Sequence, residues 1–292
     1  MRSSHILALA LAVGAASMVM LPGAGAQSRS QVLQQAEASM VLTGHIDIGP
    51  QGQVEGFTLD KRDKVNDALA GFVEGQVQHW RFEPVQVDGR PVKARTPVSI
   101  RLGGKVTDDG RQQVTLLAAN FERYDPASTE DVTRLKASPP AYPKEVYSIG
   151  GRGDVLLLVQ VGRDGKVIDV ATEQVNLRLA TNEAVMRRMR DKLSQVSMAA
   201  ARKWTFRVPT TGERKDDASW TVRVPVHFAL NDDREARYGR WDAYIPGPRQ
   251  QAPWRADTAL GADANADLLP EGGVFMADAA SRGPRLLTPL GG

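Results

Sequence analysis

The sequence predicts an α+β fold of two small modules, each an antiparallel sheet with a helix packed on one face, followed by a disordered C-terminal tail. Three observations predict it. The order strand, strand, helix, strand, strand occurs twice along the chain. A Trp-x-Phe pair leaves each helix, at Trp80 and Phe82 and again at Trp204 and Phe206. After Leu230 the composition shifts to six Pro, eight Gly and eleven Ala in 62 residues with no sustained apolar period, which offers too little surface to offset the entropy of ordering it.

In the first copy, residues 41–122, the stretch Val41 to Ile48 turns through Pro50-Gln51-Gly52 into Gln53 to Leu59. This reads as two strands joined by a tight glycine turn. Val65, Leu69, Phe72, Val73 and Val77 then fall at helical spacing, with Asp60 or Asp63 as the expected cap, while Gly71 and Gly75 weaken the helix. Trp80 and Phe82 alternate onto one face of the next strand, and position after an amphipathic helix favours the core over a stacking platform. Val87-Asp88-Gly89-Arg90-Pro91 turns the chain into a strand through Val98, Ile100 and Leu102. The run Val114 to Ala119 offers one further strand.

The second copy, residues 139–230, follows a linker at 123–138 and has longer elements. Asp154 to Val161 turns at Arg163-Asp164-Gly165-Lys166 into Val167 to Val170, an Asp-Gly hairpin. Val185, Met189, Leu193, Val196 and Ala200 mark a helical stripe, and Lys203 to Pro209 carries Trp204 and Phe206. The last strand, Trp220 to Leu230, alternates Val222, Val224, Val226 and Phe228 on one face with Arg223 and His227 on the other. Pro225 suits an edge strand there.

The ends and the charge pattern set the compartment. Met1 to His5 carry one Arg, Ile6 to Leu21 form an apolar run of 16 residues, and small residues lead to Ala26. That pattern predicts a secretory signal at 1–26 cleaved after Ala26, followed by a linker or short helix at 27–40. An uncleaved inner-membrane anchor is the alternative, although a span usually takes about 20 apolar residues. The 37 basic and 34 acidic residues are interspersed, which is a solvated surface and excludes a nucleic-acid footprint. The absence of cysteine excludes disulfides, thiolate metal sites and a cysteine nucleophile.

Catalytic chemistry finds no constellation. His5, His45, His79 and His227 stand at no metal-ligand spacing, and the acidic pairs Asp108-Asp109, Asp216-Asp217 and Asp232-Asp233 read as solvated turns. Gly150 to Gly153 is followed by a strand, so it reads as a turn and not as a phosphate loop, and the same turn explains Arg152-Gly153-Asp154. The expectation is a protein with no enzymatic activity, cofactor, metal or small-molecule substrate.

Pro139-Pro140-Ala141-Tyr142-Pro143, Gly150 to Val155, Gly165-Lys166-Val167, Trp204-Thr205-Phe206 and Val224 to Phe228 together resemble the C-terminal domain of TonB-type energy transducers over about 90 residues. The first copy is similar through Thr43-Gly44, Gly52-Gln53-Val54, Trp80 to Pro84 and Asp88 to Val92, without the Tyr-Pro start. The resemblance implies a small antiparallel sheet with helices on one face, and structural roles for Tyr142, Pro143, Gly153, Gly165, Trp204, Phe206, Trp80 and Phe82. It further implies binding of an extended segment of an envelope protein, an outer-membrane transporter being the family's partner, at the last strand. Val222, Arg223, Val224, Val226 and Phe228 are the expected contact residues. The chain departs from the family plan in its short apolar run, its missing proline-rich spacer and its duplication. A periplasmic scaffolding protein without energy transduction therefore stays open, as does pairing into a homodimer.

Overall fold

The computed structural model describes residues 37–106, 111–230, 238–255, 268–277 and 283–290. The expected signal sequence and its expected cleavage residue Ala26, with His5, Asp108-Asp109 and Asp232-Asp233, lie outside the described residues.

Alternation builds the first sheet. Strand β1 (Glu37–Ile48) directs Met40, Leu42, Ile46 and Ile48 to one buried face and pairs antiparallel with β2 (Val54–Leu59). It begins inside the stretch expected to be linker. Helix α1 (Asp67–Gln78) places Ala70, Val73 and Val77 on that face. Its cap is Asn66, whose side chain accepts from the Ala68 N–H, and not Asp60 or Asp63. Trp80 and Phe82 follow at 2% and 1% exposure, edge-to-face with one another and with Phe121. A small hairpin, β3 (Gln86–Val87) with β4 (Arg90–Pro91), turns on Asp88 and Gly89, both at positive φ. Strand β5 (Ala94–Val106) then lies between β1 and β6 (Gln112–Asn120), the further strand expected from Val114 to Ala119.

The second unit opens with β7 (Thr133–Lys136), also inside an expected linker, and the short helix α2 (Lys144–Ser148). Strands β8 (Gly153–Gly162) and β9 (Val167–Leu177) form the Asp-Gly hairpin, and helix α3 (Glu183–Ala201) covers one face. Asn182 caps α3 by accepting from the Val185 N–H. The helix is rotated by about one residue from the expected stripe: Met186, Met189, Leu193, Ser197 and Ala201 are buried, while Val185, Val196 and Ala200 are half-buried at its margin. Strand β10 (Thr205–Arg207) carries buried Phe206 and pairs with β7; Trp204 before it donates to the Ser138 carbonyl at 2.8 Å. Strand β11 (Ser219–Phe228) pairs with β8 over its whole length.

The two units repeat one junction closely. Gly52 and Gly165 both turn a hairpin at positive φ, and a Cβ on either would overlap the carbonyl oxygen of Phe82 or Phe206. The same two phenylalanines donate their N–H groups to the carbonyls of Gly52 at 2.7 Å and Gly165 at 2.8 Å. The hairpin turn thus seats the strand that leaves the helix.

The tail corrects an expectation. Its described segments are not loose: β12 (Asp242–Tyr244) pairs with the start of β1, Ile245 exchanges backbone bonds with Leu177 of β9, and Gln250 donates to the Glu173 carbonyl. Strand β13 (Phe275–Met276) pairs with β11, and residues 285–287 bond to Arg81 and Glu83. The sheets are ordered β12-β1-β5-β6, with β2 also on β1, and β13-β11-β8-β9. Tyr244 and Trp254 are half-buried on this scaffold, Tyr244 lying 3.9 Å beneath the Arg101 guanidinium, while Trp241 is exposed.

Candidate peptide-binding edge

Strand β11 is positioned by β8 on one side and by the α3 core on one face. Val222, Val224, Val226 and Phe228 point into that core at 0%, 6%, 9% and 5% exposure, as alternation predicts. Tyr142 locks the end of the strand, its ring edge-on to Phe228 at 5.3 Å and its hydroxyl donating to the Gly151 carbonyl. Pro143 starts α2, its carbonyl accepting from Val146 and Tyr147. Gly153 begins β8 where a Cβ would come 2.6 Å from the Asn176 carbonyl oxygen. Tyr142, Pro143 and Gly153 thus pack at one end of the sheet that carries β11.

The opposite face departs from expectation. Arg223 is 7% exposed and not solvated, and its backbone is paired by Phe275 of the tail. Its guanidinium meets the Glu173 carboxylate at 2.7 and 3.2 Å. Glu173 is the residue skipped where β9 bulges against Leu156 and Leu157 of β8, and a bulge re-aims its side chain. Leu156 and Leu158 emerge on this face too, covered by Leu269 and Phe275 and by Ala252 and Ala277. Strand β8 is consequently buried on both faces.

A second charged group closes the same sheet end. Asp154 accepts from the His227 ring Nδ1 at 2.6 Å and from Arg178 Nε at 3.0 Å. Burial pushes the Asp154 carboxyl up, but the Arg178 guanidinium and the His227 ring outweigh it and hold the group well below the usual carboxylate range. Arg152 meanwhile reaches Asp242 at 3.4 Å, so Arg152 and Asp154 are both engaged within the fold.

The side of β11 turned away from β8 is defined by backbone direction. The Ala277 N–H donates to the Thr221 carbonyl at 2.8 Å, so the groups of Thr221, Arg223, Pro225 and His227 point away from β8. Pro225 thereby sacrifices no bond to β8. Among the described residues, β13 pairs only with Val222 and Arg223, whereas the corresponding side of β5 is paired by β6 from Ser99 to Val106. The remaining histidines are local: His45 lies 3.8 Å from Asp60, and the His79 ring bonds to the Gly75 carbonyl. Among the described residues, no three His, Asp or Glu side chains are grouped to hold a metal, and no helix is long and apolar enough to cross a membrane. Phe275, Ala277, Leu156 and Leu158 belong to this edge and escaped the sequence reading. The near-continuous apolar run Val155 to Val159, which marks a strand buried on both faces, is the signal for the last two.

Over 107 residues the chain is 36% identical to proteins named Protein TonB from two strains of Xanthomonas campestris pv. campestris. The match takes up 37% of this chain and 42% of each relative, so the chain spans less than half the length of the curated relatives it matches. No protein-family model and no solved structure matches the chain. The chain is an α+β protein of antiparallel sheets with few helices, and a region of 107 residues in it is similar to Protein TonB.

Proposed function

We propose that the chain is a non-enzymatic envelope protein of TonB type whose second unit binds an extended segment of a partner along β11. The observation that carries this reading is the edge itself. Strand β11 is held by β8 on one side and, beyond the Val222 and Arg223 positions that β13 pairs, directs the Pro225 carbonyl and the His227 backbone groups to the other, where an added strand can satisfy them. Similarity to Protein TonB supports an outer-membrane transporter as the partner and a role in energy-coupled transport, with the protein working in the periplasm after loss of residues 1–26. The first unit, with β6 across the matching side, serves as a support, and its likeness to the second supports descent from one duplicated module.

The test is hydrogen exchange of the full chain with and without peptides from periplasm-facing transporter segments. Slowed exchange over residues 223–228 is expected. Protection confined to other elements refutes the reading. A proline at Val224 is a poor probe, since that N–H points to β8.

A further inference from the structure

We infer that β13 is an internal occupant of the β11 edge, and that its side chains state the chemistry of the segment the edge takes. This inference rests on the strand-addition reading above. Residues 274–277 run antiparallel to β11 in the register Val222 to Met276 and Arg223 to Phe275. The alternation is complete: Val274 and Met276 join the α3-side core, and Phe275 and Ala277 settle on the opposite face. Phe275, 7% exposed, packs on Leu156 and Leu269 with Tyr124 at 6.1 Å between ring centres, and Ala277 meets Leu158 and Ala252. Neither face receives a charge from these four residues. The ligand that fits is therefore an uncharged extended segment, antiparallel to β11, with aliphatic side chains toward α3 and an aromatic followed two residues later by a small residue on the other face.

The same geometry makes binding competitive. A partner strand and β13 need the same carbonyl of Thr221 and the same apolar seat beside Leu156. When a competent state is fractionally populated, apparent affinity falls by that fraction. Two residues of strand pairing hold β13, so it is displaceable in a way that the nine-residue β6 is not.

The experiment uses the full chain and a fluorescent peptide copying residues 272–277, with a second peptide carrying Asp in place of the phenylalanine. Ala277→Pro removes the donor to Thr221, and Phe275→Ser independently removes the aromatic anchor. Either variant should bind the first peptide about tenfold or more tightly than the unmodified chain, with little binding of the second peptide. Exchange of the Thr221 and Arg223 amides should speed up in both variants and slow again with peptide. Equal peptide affinity in the unmodified chain and both variants overturns internal occupancy while leaving the edge as the binding site. Faster exchange without peptide binding overturns the edge itself. Unchanged exchange in both variants overturns β13 as the element that shields it.

Discussion

Arg223 of β11 and Glu173 of β9 form a bidentate ion pair across the intervening strand β8, with side chains only 8% and 6% exposed. Removing one partner leaves a buried charge, which costs about 3 to 5 kcal/mol. Arg223→Ala and Glu173→Ala should each lower stability by that order, measured by urea unfolding. The double change to Met and Leu should recover most of the loss. A double variant as unstable as the singles would contradict this account.

Trp204 fills the junction of α3 and β10 at 5% exposure and satisfies its indole N–H on Ser138. Trp204→Ala removes a large aromatic from a packed core and should cost about 3 to 5 kcal/mol. Unfolding followed by the remaining tryptophans should report it. An unchanged urea midpoint would exclude the assigned packing.

Gly165→Ala forces an L side chain to positive φ and sets its Cβ against the Phe206 carbonyl. The backbone conformation alone costs about 1 to 2 kcal/mol, and the overlap adds to it. Gly71→Ala, in a helix with open space around the site, should instead be neutral or mildly stabilising. Thermal unfolding of the pair separates the two outcomes.

Asp154 has a folded-state pKa depressed below the usual carboxylate value of about 3.9. Its stabilisation is therefore present above that value and is lost as the pH falls below it toward the folded pKa. Stability measured in urea should drop between pH 5 and pH 2, and Asp154→Asn should be less stable at pH 7 while losing part of that acid dependence. An acid limb identical in both proteins would assign the effect to other carboxylates.

Both hairpins and the Trp-x-Phe exits were legible because each is local: alternation, a glycine turn and an aromatic pair lie within a few residues. The phase of α3 was not, since Val185, Val196 and Ala200 and the buried Met186, Ser197 and Ala201 differ by one position, and a stripe of alanine and methionine marks the contact face weakly. The tail escaped for a different reason. Strands of two or three residues such as β13 and β12 have no period to detect, and their stability comes from sheets more than 40 residues away in sequence, so composition could not register them. Arg223 and Glu173 stood in the sequence as isolated charges in apolar strands. Their pairing depends on a bulge that no pattern announced.

The strapping of the tail onto the first unit also fixes an order of events. The Thr43 N–H takes the hydroxyl of Tyr238, 195 residues later, and the Arg81 N–H takes the hydroxyl of Thr288, 207 residues later. Contacts of such separation carry a loop-closure cost before they return any gain, and they form late. Strand β1, synthesised long before the tail, is thus among the last of the described strands to have its outer groups satisfied. A chaperone that shields strand edges would find its longest-lived target at the start of β1.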